Sequence, residues 1–387
     1  MDAGRFIARK LKFQGKLAAV AIAVSFLVMI LAVAISSGFR RTMRDGVAAM
    51  TGDICIRPDG NSSSGEPVPM PAVLPSADEI LSLPGVKEIR PVVVRAGIVK
   101  SGDVIHGIVV KGVENQADSS LTVSIPTRLS AITGLGVGDA MTTYFVGEKV
   151  RVRKFRIGEV RRDILETDDN LIVYAPLADI RRLNGWPEDE VSSLEVLLRP
   201  EFKAAPAEEE LTARIGTMLL LSEDDRENDL LVTSSIQSYP QVFDWLNLLD
   251  FNVLILLILM TVVAGFNMVS GLLIMLMRNI STIGTLKTMG MGNRAIGKVF
   301  LRVASGVVLK GMLAGNVLAL LFCLIQGTTH LIPLDPENYF VSYVPVHVNV
   351  PGILAADAAA YLGVMLLLLI PTLLIARVDP ARTVRAD

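Results

Sequence analysis

Four long apolar runs divide the chain, and the polar stretches between them alternate at strand or helix spacing. Residues 17–39, LAAVAIAVSFLVMILAVAISSGF, carry no charge. At 1.5 Å per residue such a helix reaches about 34 Å, enough to cross the hydrocarbon core of a bilayer. A second uncharged run, FNVLILLILMTVVAGFNMVSGLLIMLM, fills 251–277. A third covers 303–325 and is interrupted only by Lys310, and a fourth covers 353–376, with Asp357 near its start and Pro371 near its end. The first run does not read as a secretory leader. A leader has a short apolar region and a small-residue cleavage site, whereas Arg40 and Arg41 follow here.

The segment 40–250 has no such run. DICIR from Asp53 predicts a short strand, and NSSSGEPVPMP at 61–71 a loop. SADEILSL predicts a helix opened by a capping box between Ser76 and Glu79. EIRPVVVRAGIVK and DVIHGIVVKGV predict a hairpin turning at Ser101-Gly102. Further strands are expected near 149–158, 171–175 and 193–198. Helices are expected at 176–184 and 206–221, the second led by Pro206 with Glu208, Glu209 and Glu210 in its first turn. Together these predict a mixed α/β domain of two lobes without an internal repeat.

Composition agrees with a membrane protein that has a sizeable water-exposed part: 51% hydrophobic and a mean hydropathy of +0.50, with 20% charged residues. Lys and Arg near the span ends give an orientation. Arg5, Arg9, Lys10, Lys12 and Lys16 precede the first run, five basic residues and no acid occupy 278–302, and Arg377, Arg382 and Arg385 follow the fourth run. The 326–352 loop has none. Both termini and 278–302 are therefore expected in the cytoplasm, and 40–250 outside. The outer segment holds 23 Lys and Arg against 33 Asp and Glu, which argues against nucleic acid as its partner.

Other chemistry is sparse. Cys55 and Cys323 lie in unlike settings and are expected to be free thiols packed as small apolar residues. His106, His330 and His347 lack metal-ligand spacing. SEDDREND from Ser222 reads as a solvated loop. No Ser-His-Asp or Cys-His set suggests an enzyme. A solute pathway normally shows intramembrane ionisable groups. Only Lys310 and Asp357 qualify, and both are expected to snorkel from near a helix end. Gly311 and Gly315 form G-x-x-x-G, which suits close helix packing within or between subunits.

From Gly292 to Lys298 the chain reads G-x-x-x-x-G-K, the start of a phosphate-binding loop. The next residue is Val299, where a Ser or Thr would hold magnesium, and the upstream RNISTIGTLKTMGM is not an apolar strand. ATP binding by this chain is not expected. The spacing of Ile280, Ile283, Gly284, Leu286 and Lys287 instead predicts a short helix ended by Gly290 or Gly292. Periodicity leaves two readings open, a solvated basic loop and a docking helix for a cytoplasmic partner.

STIGTLKTMGMGNRAIGKVFL resembles the coupling-helix segment of the FtsX/MacB-type ABC transporter permeases, matching at Ile283, Gly284, Leu286, Lys287, Met289 and Gly290. Thr282 stands where that family usually has an acid. FIARKLK before the first run and ARVDPARTVR after the fourth fit as well, so the resemblance covers the whole chain. VRVRKFRIGEV, DNLIVYAPLADIRRLNGW and LIPLDPENYFVSYVPVHVNV are similar to the lipoprotein-releasing LolC/LolE branch.

The resemblance implies a polytopic α-helical membrane protein with four transmembrane helices and a large MacB-like α/β extracytoplasmic domain, in a bacterial inner membrane. The layout is a cytoplasmic amphipathic segment (1–16), spans at 17–39, 251–277, 303–325 and 353–376, and the outer domain at 40–250 with stalks near 38–50 and 236–250. The coupling segment is 278–302, the short outer loop 326–352 and the cytoplasmic tail 377–387. Implied partners are two copies of a separate ATPase, which binds the ATP and magnesium, and a second permease copy or paralogue. A lipoprotein substrate and a periplasmic carrier complete the set. The helix at 281–290, with Thr282, Ile283, Gly284, Leu286, Lys287, Met289 and Gly290, would receive the ATPase stroke and the stalks would carry it outward. Candidate substrate contacts are Met43, Val47 and Met50 on one helical face, with Leu249 and Phe251 on the second stalk. A cell-division-like permease that only regulates a periplasmic partner, and drug or peptide efflux, are the competing expectations.

Overall fold

A computed structural model describes residues 16–60, 67–102, 104–114, 120–147, 150–162 and 171–372. The chain forms two compact units. One is built from the long helices: the described residues up to Arg40, Trp245–Pro333, and those from Tyr343 on. The other comprises Arg41–Asp244 with Leu334–Ser342.

In the helical unit the first three apolar runs each lie within a longer helix, and the fourth begins within one. The first long helix is Lys16–Thr51, the second Pro240–Arg278, the third Asn293–Thr329 and the fourth Val350–Leu367. All four are long and apolar enough to cross a membrane. The first two continue beyond the apolar runs, to Thr51 and from Pro240: no proline falls between Phe39 and Gly52 or between Pro240 and Phe251, and Gly46 is accommodated within the first helix. The expected second stalk from 236 therefore starts at Pro240, after a separate turn of helix at Ser235–Ser238. The fourth helix breaks at Leu368 and resumes as Leu369–Thr372 around Pro371, which has no N–H for the preceding turn. The expected span end at 373–376, the N-terminal segment 1–15 and the tail 377–387 lie outside the described residues. Ile22, Phe26, Met268, Leu272, Phe300 and Val364 fill the space between helices. Leu254, Ile258, Leu313, Leu324 and Leu366 point outward and are at least half exposed, as suits a surface whose solvent is lipid rather than water.

Among the described residues the α/β unit holds eleven strands: β1 Ile54–Pro58, β2 Met70–Pro71, β3 Val86–Ser101, β4 Val104–Val113, β5 Thr122–Pro126, β6 Ala140–Phe145, β7 Arg151–Arg161, β8 Ile172–Pro176, β9 Glu190–Val191, β10 Ser193–Leu198 and β11 Leu230–Ser234. Nine of them form one sheet in the order β11-β1-β10-β3-β4-β8-β5-β7-β6. The 16-residue β3 makes two lobes from this sheet. Its first half pairs antiparallel with β10, from Val86 to Val92. Its second half pairs with β4, and Ile98 and Val99 also pair with Tyr144 and Thr143 of β6. That last pairing closes β3, β4, β8, β5, β7 and β6 into a ring. Phe145 and Phe155 meet edge to face inside the sheet core at 6.3 Å. Strand β7 buries Phe155 and Ile157 and exposes Arg151, Arg153, Lys154 and Arg156.

The capping box at Ser76 does not form. The helix Ala77–Ser82 starts after Ser76, whose side chain makes no cap bond. Ser76 N and Oγ instead donate to Glu227 Oε1, at 3.0 and 2.8 Å. A buried carboxylate brought from 151 residues away outcompetes the local Glu79, which stays exposed. Within the expected loop 61–71, Met70 and Pro71 pair with Val191 and Glu190.

Candidate functional site

The segment between the second and third long helices contains the helix Ile280–Thr288. Asn279 interrupts the preceding helix, and its side chain donates to Met275 O at 2.8 Å. Gly290 terminates the element in the left-handed region, φ +87°, while Met291 N donates to Leu286 O at 2.9 Å. Ile283 is 1% exposed and joins Ile296 and Phe300 in the helical core. Gly284 is buried and Leu286 is partly buried against the same core. Thr282 and Met289 face outward, as do Ser281, Thr285 and Thr288, while Lys287 is half-buried. Of the motif residues, then, the aliphatic ones fix the helix to its own bundle. Thr282, Met289 and Gly290 are the ones a partner could reach. The G-x-x-x-x-G-K run has no strand before it: Gly292 caps the third long helix, and Asn293 to Lys298 are its first turns.

The stalk residues correct an expectation. Met43 and Val47 are fully enclosed, and Met50 is partly buried. An apolar stripe at this spacing is satisfied by the chain itself, so Met43 and Val47 offer no open surface to an acyl chain. Leu249 is half-buried, while Phe251 is 59% exposed. Near the first pair of helices, Phe39 stacks edge-on with Trp245 at 5.6 Å. Asp250 accepts from Ser36 Oγ and pairs with Arg40. Across from Gly38 runs the backbone of Pro345, and His347 N donates to Ala34 O at 3.0 Å.

Where the first long helix ends, the α/β unit supplies a set of buried charges that no sequence pattern announced. Gly52 closes the helix in the left-handed region, φ +75°, with Gly52 N donating to Ala48 O. A Cβ there would lie 2.8 Å from Glu195 Cβ, so the position requires glycine twice over. Lys111 of β4 is 3% exposed and pairs with Glu195 of β10 at 2.7 Å. Its Nζ also donates to Met50 O at 2.8 Å and Ala49 O at 3.3 Å. Tyr174 of β8 donates to Ala49 O from its hydroxyl. One residue past the glycine, Asp53 is fully buried, accepts from Leu198 N and pairs with Lys203. About two turns before the end of the helix, Arg44 lies 3.9 Å from Glu208, whose other oxygen accepts from Ser235 N and Oγ. A cavity of about 110 Å³ abuts this joint, lined by Met50, Cys55, Lys111, Glu195 and Tyr239 among others.

Burial pushes the Glu195 and Glu208 carboxyls above their ordinary range, opposed by Lys111 in one case and by Ser235 and Arg44 in the other. Burial, reinforced by the Glu195 charge, pushes the Cys55 thiol up to about 11. The nearest signal in the sequence was a lone lysine in the otherwise apolar run VIHGIVVKGV. Alternation alone does not tell a buried, paired lysine from an exposed one.

In the helical unit Gly311 and Gly315 face the first long helix. Side-chain carbons there would meet Ile22 at 2.7 Å and Ala23 O at 2.5 Å. Lys310 is exposed. Asp357, expected to snorkel, does not: it is 7% exposed and accepts from Asn316 Nδ2 of the third helix at 2.5 Å. Turning inward to a hydrogen-bond donor removes the need to reach the interface. Among the described residues no His, Cys, Asp and Glu group has the makings of a metal centre.

Comparison with known proteins places these parts. Residues 17–214 match the MacB-like periplasmic core domain, and residues 254–380 match the FtsX-like permease C-terminal domain. The lipoprotein-releasing system transmembrane protein LolC of Xylella fastidiosa (strain 9a5c) is 22% identical over 394 residues, covering 95% of this chain and 92% of LolC. LolE of Haemophilus influenzae is 23% identical over 401 residues, covering 95% and 93%. Among solved structures, the periplasmic region of MacB from Actinobacillus actinomycetemcomitans matches with a TM-score of 0.30 and 15% identity, over 50% of this chain and 92% of that one. The extracellular domain of the noncanonic ABC-type transporter YknZ from Gram-positive bacteria matches with a TM-score of 0.29 and 10% identity, over 47% and 98%. With the MacB-like model spanning more than half of the chain and the FtsX-like model most of the remainder, the chain belongs to the FtsX/MacB-type family of ABC transporter permeases.

Proposed function

We propose that this permease releases lipoproteins from the outer leaflet of the inner membrane, driven by a separate ATPase that supplies the ATP and magnesium chemistry. The observation that carries the substrate is the similarity to LolC and LolE over 95% of the chain. The geometry supports a mechanical mode of action. The outward side of Ile280–Thr288, with Thr282 and Met289, is the docking surface for the ATPase. The first and second long helices run without a break from apolar spans to stalks. A stroke on the bundle is then carried along the first helix toward its end at Thr51. Acyl chains are sheltered not by Met43 and Val47 but by the exposed apolar side of the second helix, where Phe251, Leu254 and Ile255 stand. Both termini and 278–302 are cytoplasmic in this proposal, the α/β unit is periplasmic, and a second permease completes the transporter.

Reconstitution tests it. The complex, purified with its ATPase, is placed in proteoliposomes carrying a triacylated lipoprotein. ATP should transfer the lipoprotein to a soluble carrier. ATP hydrolysis with no release of lipoprotein, while a periplasmic hydrolase responds instead, would replace this proposal with the regulatory one.

A further inference from the structure

The buried lysine at the end of the first stalk has no role in the family comparison, yet its surroundings are unusually complete. An ammonium group has three donors. Lys111 has three acceptors around it: Glu195 Oε1, Met50 O and Ala49 O. Two of these are carbonyls of the helix's last turn, which have no partner within the helix and sit at the negative end of its dipole. The third belongs to β10, while Lys111 itself belongs to β4. These strands flank β3 from opposite sides, β10 along its first half and β4 along its second. One side chain therefore ties a helix terminus to both lobes of the sheet.

We infer that Lys111 is a positioning residue that grips the end of the first stalk, so that stalk displacement moves β4 and β10 together. The inference rests on the mechanical reading above. Without the grip, a pull on the helix would fray its last turn, since terminal carbonyls held only by water open readily. With it, the load enters the sheet through two strands. Tyr174 adds a second donor to Ala49 O from β8, the strand beside β4. Arg44 and Glu208 make a further contact nearly two turns earlier.

A merely architectural role is separable from this one. Replacing Lys111 alone would leave Glu195 buried without its cation, and the domain could misfold for that reason. The double variant K111M/E195M removes both charges at similar volume, which buried pairs often tolerate. The full-length complex with its ATPase is placed in nanodiscs, and hydrogen exchange is followed over 40–51, 104–113 and 193–198, with and without trapped ATP.

In the native chain all three segments should respond to nucleotide. In the double variant 40–51 should still respond, the two strands should not, and lipoprotein release should fall at least tenfold with ATPase activity retained. A folded double variant whose strands respond as in the native chain overturns the inference. So does a native chain whose stalk responds and whose strands do not. A native complex whose three segments respond but which releases no lipoprotein counts against the proposed substrate, and leaves the grip standing.

Discussion

The amide of Asn316 donates to the carboxyl of Asp357 across 2.5 Å, joining the third and fourth long helices inside the apolar bundle. Both residues retain an oxygen with no other partner. Lipid supplies no replacement donor, so the pair matters more as a unit than as two residues. Asn316→Leu should destabilise the chain in detergent by about 1–2 kcal/mol, the scale of interhelical hydrogen bonds in membranes. Asp357→Leu in the same background should recover most of the loss. Unfolding temperatures of the two singles and the double complete the cycle; additive losses would show that the two side chains do not cooperate.

The third helix approaches the first through Gly315, where any Cβ would fall 2.5 Å from Ala23 O and 2.9 Å from Phe26 Cβ. Backbone cannot yield as a flexible side-chain tip can. Gly315→Val should cost about 1–3 kcal/mol by overpacking, whereas Gly306→Ala, with open space around it, should be neutral. Thermal unfolding of both variants decides, and equal stability would mean that the helices separate at no cost.

Glu208 gives a pH signature. Burial raises its carboxyl above the ordinary 4.5. Between that value and the raised one, the folded chain holds a proton that the unfolded chain has released. The contribution to stability is therefore fully present below 4.5 and is lost as pH rises through the folded value. Glu208→Gln keeps an acceptor for Ser235 N and removes the titration. The difference in unfolding temperature, native minus variant, should favour the native chain most at low pH and shrink upward from 4.5. A difference that grows with pH would show that Arg44 holds the carboxylate ionised.

In the helix Ile280–Thr288, packing and the proposed docking fall on different residues. Ile283 is enclosed, whereas Met289 is 78% exposed. Ile283→Asp buries a charge and should lower the unfolding temperature sharply. Met289→Asp and Thr282→Arg should leave it unchanged and reduce ATPase stimulation in the complex severalfold. Native coupling in both surface variants would move the docking surface away from Ile280–Thr288.

The sequence by itself determined the four apolar helices and the alternating strands of the α/β unit. Both follow from local pattern: a 23-residue uncharged run and the short β-branched run VIHGIVV after the Ser101-Gly102 turn each specify an element without reference to the rest of the chain. The short helix Ile280–Thr288 was legible for the same reason, since its glycine stop and helical spacing lie within ten residues.

Only the tertiary structure decided which polar groups are buried and with whom. Glu227 displaced Glu79 as the partner of Ser76 because a buried carboxylate with few competitors is the stronger acceptor. Asp357 turned toward Asn316 rather than toward water because the third helix brings a donor within reach. Met43 and Val47 are periodic in any case, and the fold alone made them core. Lys111, Glu195 and Met50 are far apart in sequence, and no periodicity links them. Their meeting depends on β3 bridging two lobes, which sets β4 and β10 beside the end of one helix.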